Sequence, residues 1–451
     1  MAAASSSSFF PNRTISLSAP SHNHNRLTAL QSILRFPQSS SSPLSTRRLS
    51  FDFSDCDLAP RLKASATRDD ALVMDRSILL LPLLFVQLWR SNWEIGAIRS
   101  TSGPVFSINP SCSRGRHVRG KQVLVVTNTT VAPLYLDKTI WALTDGNPNV
   151  EVECVILPDG EQFKHMETVM KVFDKAIESL MDRCCTFVAL GGGVVGDMCG
   201  YAAAFYLRGV NFIQIPTSLM AQVDSSVGGK NALNHRLGKN LMGTFYQPQC
   251  VLIDTDTLNT LPDRELVSGL AEVIKCGLVR DAEFFEWLEN NMYALLARDP
   301  SALAYAIKRS CENKAEVVAL DEREKGIRAT LNFGHTFGHA IETGVGHGQW
   351  LHGEAVATGT VMAVDMSYRL GWIDDSLVKR VHNILQKAKL PIAPPETMTV
   401  DMFKSLMAMD KKVADGVLRL VLLKGPLGNC VFTGDYDRKA LDDTLHAFCK
   451  S

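Results

Sequence analysis

The sequence predicts an α/β domain followed by a mostly α-helical domain, and three observations predict it. From about residue 119, short β-rich runs alternate with helical patterns; a glycine cluster joins one such run to the next helix; and beyond Pro262 long helices take over. Strands alternating with helices make βαβ units, hence a parallel sheet covered on both faces. The strands are expected at 123–127, 152–157, 187–190, 210–215 and 251–253, with 166–180 the plainest helix among them. Helices are then expected over 263–279, 281–297, 299–320, 332–344, 352–371 and 375–389. The division falls near 262, which gives an α/β domain over 119–262 and a helical one over 263–451.

The N-terminal region differs in texture. Its first fifty residues hold 14 serines and the arginines 13, 26, 35, 47 and 48, and the first acidic residue is Asp52. Serine-rich, arginine-bearing, acid-free sequence is the composition of an organelle transit peptide and cannot build a packed core. The serine abundance points to the plastid, and residues 1–65 are read as a disordered leader. Segment 78–89 (ILLLPLLFVQLW) is apolar but only about twelve residues long. A span needs roughly twenty, so it is read as something other than a membrane helix.

Charge and cysteines narrow the function. Lys plus Arg and Asp plus Glu number 47 each, so no global basic field argues for nucleic acid. Eleven cysteines form no CxxC pair, which fits free thiols in a reducing compartment and leaves no thiolate zinc site. Any metal would be held by His and carboxylate.

Three runs carry chemistry. Gly191-Gly192-Gly193-Val194-Val195-Gly196-Asp197 follows a strand and opens a helix, where glycines allow close backbone approach and a helix N-terminus attracts phosphate. The acidic residue expected some twenty positions on is absent, so this is a phosphate-cradling turn but no ordinary dinucleotide fingerprint. Asp224, Lys230, Asn234, Lys239 and Asn240 crowd a Gly-rich stretch suited to two anionic groups. Gly334-His335-Thr336-Phe337-Gly338-His339 places two histidines at i, i+4, and the flanking glycines are read as room for something to approach. With His352 and Glu272, two His and one Glu meet the count of a catalytic metal site, leaving a spare His for proton transfer. The lack of a glutamate between the two histidines argues against a zinc protease.

Taken together these runs, with DGEQFK at 159–164, AEVIK at 271–275, LNFGHTFGHAIE at 331–342 and WLHGEAVA at 350–357, resemble the 3-dehydroquinate synthase family in its plant plastid form. The resemblance runs from about Gly120 to the C-terminus. It implies a dehydroquinate synthase-like fold: an α/β N-terminal NAD-binding domain, a mostly α-helical metal-binding domain, and a homodimer. It also implies a recycled NAD, one divalent metal (zinc or cobalt), and 3-deoxy-D-arabino-heptulosonate 7-phosphate as the sugar-phosphate substrate. The products would be 3-dehydroquinate and phosphate.

By position, Glu272, His335 and His352 resemble the family's metal ligands, and His339 and Glu324 its proton-handling residues. Asp159, Gly160, Glu161, Gln162, Phe163, Lys164, Gly193, Val194, Val195, Gly196 and Asp197 match NAD contacts. So do Thr217, Ser218, Lys239, Thr257, Leu258, Asn259 and Thr260. Lys230, Asn240 and one of Lys411 or Lys412 match groups around the substrate phosphate, with Arg208 contributed by the neighbouring subunit. Asp224, Lys275, Lys314, Arg328 and Asn332 match the remaining substrate contacts. Lys275 and Asp224 are counted with the catalytic set.

The chain also departs from the family. Residues 72–118 show nothing like its first two strands, a loss that would expose a sheet edge. Asn231-Ala232 stands where the family has Thr followed by Gly or Ala, and Cys276 where Tyr is common. The alternatives carried forward are a different sugar-phosphate cyclase, a metal-dependent polyol dehydrogenase, and an inactive chain misfolded through 72–118.

Overall fold

The computed structural model describes residues 48–50, 63–65, 118, 120–144, 149–346, 348–408, 413–414, 417–418 and 420–449 with residue 419 between them. The chain divides into two compact units, Met1–Met74 and Asp75–Ser451. In the first, β1 (Arg48–Ser50) pairs antiparallel with β2 (Lys63–Ser65). The expectations for the rest of the leader, for 78–89 and for the strands missing from 72–118 fall outside the described residues, as do Lys411 and Lys412.

The second unit opens with a five-stranded, all-parallel sheet. In chain order its strands are β3 (Gln122–Asn128), β4 (Glu151–Leu157), β5 (Thr186–Gly191), β6 (Asn211–Pro216) and β9 (Cys250–Val251); in space they run β4-β3-β5-β6-β9. Alternate residues serve opposite faces. Leu124, Val126, Phe187, Ala189 and Phe212 join a core under helices α2 (Met166–Glu178) and α3 (Gly193–Phe205). Val123, Val125, Val188, Leu190, Ile213 and Ile215 pack the other way, against Tyr135, Leu136 and Leu143 of α1 (Ala132–Thr144). Burial on both faces is why β3 and β5 read as continuous apolar runs, while β4, at the sheet edge, does not. The chain turns back on itself between β3 and β5, and in such sheets ligands sit at the carboxyl ends beside that reversal.

The antiparallel hairpin of β7 (Lys230–His235) and β8 (Gly238–Phe245) was not visible as strands in the sequence. Asn231 points inward from it, buried, and donates through Nδ2 to the carbonyls of Gly229 and Tyr246, both at 3.1 Å. A buried asparagine so satisfied is compatible with the fold.

After Pro262 the helices follow in the expected order: α4 (Asp263–Arg280), α5 (Ala282–Leu296), α6 (Pro300–Leu320), α7 (His335–Val345), α8 (His352–Arg369) and α9 (Asp375–Lys387). Asp281 caps α5 through the Phe284 amide at 3.0 Å, and Asp299 caps α6 through Ala302 at 2.8 Å. Capping side chains satisfy amides that the first turn leaves without partners. The 332–344 helix begins three residues late because Gly334 adopts a left-handed φ of 76° that breaks the chain there. Helix α8 is buried along most of its length, among α4, α7 and a C-terminal strand at Leu420–Leu423.

The glycines of the histidine motif have a different purpose from the one the sequence suggested. A side chain at Gly338 would stand 3.0 Å from the Ala355 carbonyl of α8, and one at Gly353 would stand 1.9 Å from the Ser268 carbonyl of α4. The room beside the histidines is filled by neighbouring helix backbones. That close approach is what brings three side chains from three helices together.

Candidate active site

Glu272 is the centre of the site. It sits midway along α4, 2 % exposed, with Oε1 3.6 Å from His335 Nε2 and 3.5 Å from His352 Nε2. One ligand atom from each of the three lies within 4.8 Å of the others. His335 is the first residue of α7 and His352 the first of α8, so two helix starts converge on one carboxylate. His335 Nδ1 lies 3.0 Å from the Phe333 carbonyl, which suits an Nδ1–H donor and leaves Nε2 free for a ligand. Neither Glu272 oxygen has a hydrogen bond of good geometry, although the Lys275 ammonium lies directly against Oε2. A buried carboxylate whose Oε1 is faced by two imidazole nitrogens fits a divalent cation with N and O ligands.

The electrostatics agree. Burial pushes the Glu272 carboxyl up, but Lys275 and His352 outweigh it and hold the group at about 2. Burial, with Lys275 adding to it, pushes His335 well below the usual histidine range, so its ring is neutral as metal ligation requires. Burial disfavours charge on His352 too, yet Glu342 and Glu272 raise it to about 9. A cation entering here displaces a proton from that ring.

Cations and amides surround this cluster. Lys275 and Lys314 lie 4.0 Å and 3.0 Å from Asp224 Oδ1, and Lys314 also donates to the Asp224 carbonyl at 2.6 Å. Asp224 belongs to a single π-turn, Ala221–Ser225, after β6. Burial pushes its carboxyl up, and the two lysines bring it below the usual range. Arg328 is fully buried and donates to the Gly228 carbonyl at 2.8 Å. Glu324, at a positive φ of 57°, pairs with Lys230 at 2.6 Å and accepts from Asn332 Nδ2 at 2.7 Å. His339 stands one turn along α7, its ring 5.5 Å from His335 and 6.2 Å from His352.

The residues matched to NAD contacts gather at the carboxyl ends of the strands. Asp159 accepts from Asn128 Nδ2 at 2.6 Å, and the Thr217 amide donates to the Gly191 carbonyl at 3.0 Å, holding Ser218 beside the glycine turn. Gly193 opens α3, so Val194, Val195, Gly196 and Asp197 form its first turn, with no side chain capping the end. A Cβ at Gly193 would meet Ser225 Oγ at 2.7 Å, and one at Gly196 would meet Gln214 Oε1 at 2.7 Å, so glycine here also serves close packing. Glu161, Gln162 and Phe163 form one 3-10 turn after Gly160. Lys164, buried, donates to Asn240 Oδ1 at 2.7 Å and pairs with Asp197. Burial disfavours charge on Lys164, but Asp197 and Glu161 raise it above the usual lysine range.

Some expected residues already have partners within the fold. Thr257 and Leu258 are buried, and Gln222 donates to Thr257 Oγ1 at 3.0 Å; Thr260 Oγ1 pairs with the Tyr135 hydroxyl at 2.5 Å. These hydroxyls are committed within the fold, in the turn that also holds Asn259. Arg208 is exposed in the turn after α3 at a φ of 71°, away from Glu272 among the described contacts. Cys276 is buried, and burial pushes its thiol up to about 12, which makes it an inert packing group. All nine described cysteines are free.

One residue escaped the sequence reading: Glu342. It is buried on α7, Lys239 Nζ donates to its Oε1 at 2.8 Å, and that oxygen lies 3.2 Å from His352 Nδ1. Its spacing from His335 and His339, at i+7 and i+3 on one helix face, was the available signal.

Comparison with known proteins bears on these residues. Residues 154–268 match the family model "3-dehydroquinate synthase N-terminal" and 269–413 match "3-dehydroquinate synthase C-terminal". The chain is 82% identical over 336 residues to chloroplastic 3-dehydroquinate synthase of Solanum lycopersicum, covering 74% of this chain and 76% of the relative. It is 60% identical over 329 residues to the 3-dehydroquinate synthase of Hydrogenovibrio crunogenus, covering 73% and 90%. Among solved structures, it resembles 2-epi-5-epi-valiolone synthase from Streptomyces hygroscopicus with NAD+ and Zn2+ bound. The TM-score is 0.69 at 28% identity, over 79% of this chain and 99% of that one. It also resembles 2-deoxy-scyllo-inosose synthase complexed with carbaglucose-6-phosphate, NAD+ and Co2+, with a TM-score of 0.66 at 25% identity, over 73% and 92%.

The parallel sheet followed by a helical half, with the likeness to these two cyclases, is the fold of the sugar-phosphate cyclase class. Within that class, the identity over three quarters of the relative's length decides the matter: the chain belongs to the 3-dehydroquinate synthase family.

Proposed function

We propose that this chain converts 3-deoxy-D-arabino-heptulosonate 7-phosphate to 3-dehydroquinate and phosphate, as a carbon–oxygen lyase. The observation that carries it is Glu272, buried with Oε1 facing two imidazole nitrogens and Oε2 held by Lys275, with Lys314 beside it on Asp224. When bound, NAD would accept and return a hydride and the divalent metal would lower the pKa of a substrate hydroxyl.

The chain's own residues do the rest. Glu272, His335 and His352 would hold the zinc or cobalt. Lys275 keeps Glu272 ionised, and Asp224 with Lys314 sets the charge beside it. Lys230, Asn240, Arg328 and Asn332 would clamp the phosphate and carboxylate, with Lys411 or Lys412 and a partner subunit's copy of Arg208 completing the clamp in a homodimer. His339, beside His335 and His352, and Glu324, paired with Lys230 and Asn332, would move the protons. Asp159 through Lys164, the glycine turn, Thr217, Ser218 and Lys239 would hold NAD at the strand ends, and 257–260 would contribute through its backbone. We place the domain division near 262, read 1–65 as a transit peptide, and assign the mature protein to the plastid stroma. Among the described residues no helix is long and apolar enough to cross a membrane.

The test is a coupled assay on the purified, metal-loaded chain, following phosphate and dehydroquinate together with a trace of NAD. Stoichiometric release of both, no lasting NADH signal, and abolition by chelator are expected. Net NADH accumulation without phosphate release would refute the cyclase reading in favour of a dehydrogenase.

A further inference from the structure

Glu342 links Lys239 of the hairpin to His352, one of the candidate metal ligands. One oxygen, Oε1, takes the Lys239 ammonium at 2.8 Å and faces His352 Nδ1 at 3.2 Å, while Oε2 has no hydrogen-bond partner. The opposite ring nitrogen, His352 Nε2, faces Glu272 at 3.5 Å. Lys239 comes from β8 and Glu342 from α7, so the contact joins the hairpin to the helical half. The carboxylate is 6 % exposed, so it is held by these partners and not by water.

A histidine binds a metal through a nitrogen lone pair, and the hydrogen bond made by the other nitrogen decides which one is available. We propose that Glu342 is a positioning residue: it accepts the Nδ1 proton of His352, which fixes the tautomer that presents Nε2 to Glu272 and His335. Through the same oxygen it tethers the Lys239 end of the hairpin to the metal ligands. The inference rests on the metal reading of Glu272, His335 and His352.

A competing arrangement can be drawn from the same atoms, because Glu342, His339 and His352 also lie within ligand distance of one another. Two physical points weigh against it. A second dication on Glu342 would share that carboxylate with the Lys239 ammonium, which already holds Oε1 at 2.8 Å. It would also require His352 to serve two metals through both nitrogens, which means losing the ring's last proton. A hydrogen bond needs neither.

The test is chelator competition for zinc on the purified full chain, with cobalt(II)-loaded absorption spectra as a second readout and circular dichroism as the fold control. The wild type is expected to take up one zinc. Glu342→Ala is expected to weaken zinc binding about 10- to 100-fold, the usual effect of removing such a supporting partner. Glu342→Gln, whose amide oxygen still accepts from Nδ1, is expected to recover part of that loss, and the cobalt band to shift in the order wild type, Gln, Ala. Should Glu342→Ala prove insoluble, the Gln variant alone decides, by weakened zinc binding with native circular dichroism. Zinc affinity within twofold of wild type in a folded variant overturns the proposal. So does a wild-type stoichiometry of two zincs that falls to one in Glu342→Ala, which would make Glu342 a ligand. A wild type that binds no zinc overturns the metal reading itself, an outcome distinct from the other two.

Discussion

Replacing Lys275 with methionine removes a charge and little volume, and it tests the electrostatic account of the site directly. Lys275 is 3 % exposed and lies against Glu272, itself 2 % exposed. Holding the Glu272 carboxyl at about 2, against an ordinary 4.5, corresponds to roughly 3 kcal/mol at about 1.4 kcal/mol per pH unit. Breaking a buried pair by removing one partner costs about 3–5 kcal/mol, because the other charge stays buried. Metal-free Lys275→Met should therefore be less stable by about that amount, a fall in Tm on the order of 10 °C. The sign with pH follows from the direction of the shift. A depressed carboxyl stabilises the fold above its unfolded value near 4.5, and that stability is lost as pH falls toward 2. The gap between wild type and variant should accordingly be full at neutral pH and close across that acid window. A dication at Glu272 replaces the missing positive charge, so saturating zinc should restore more stability to the variant than it gives the wild type. Urea titrations of both proteins, with and without zinc, measure all of this. A metal-free loss below about 1 kcal/mol, or an equal zinc effect on both proteins, would refute the reasoning.

Two further changes probe the scaffold. Gly353→Ala puts a methyl 1.9 Å from the Ser268 carbonyl, and overpacking of this kind costs about 1–3 kcal/mol or more. Thermal unfolding should show the loss with and without metal alike, since backbone approach and not ligation is at fault. Asn231→Ala should cost about 1–3 kcal/mol by stranding the carbonyls of Gly229 and Tyr246, measured in the same way, while a neutral result would mean water replaces the amide.

The regular elements were legible because their burial is periodic. The strands at 122–128 and 186–191 are buried on both faces and read as unbroken apolar runs, and α4 and α8 show helical patterns over whole turns. The hairpin at 230–245 was hidden because its inward positions include the polar Asn231, and its turn, Arg236-Leu237, lacks the usual turn residues. At the site, residue types and the i, i+4 spacing pointed to a metal cluster, and the structure brings Glu272, His335 and His352 together. Glu342 was passed over although it shares the helix face of His335 and His339, because its meaning lies in Lys239, 103 positions away, which no local pattern reports. The glycines beside the histidines were misassigned for a related reason: a gap in the side-chain layer is visible in sequence, but what fills it is not.

Helix α7 is only 11 residues long, yet His335, His339 and Glu342 all project from it into one site. Each added residue turns a helix by about 100° and advances it 1.5 Å. Lengthening α7 by one residue after His335 would swing His339 and Glu342 off the site together, and the packed glycines on the same helix would leave it no way to slide back. The helix thus behaves as a single toothed part, with Thr343 its one exposed residue and no room for any change in length.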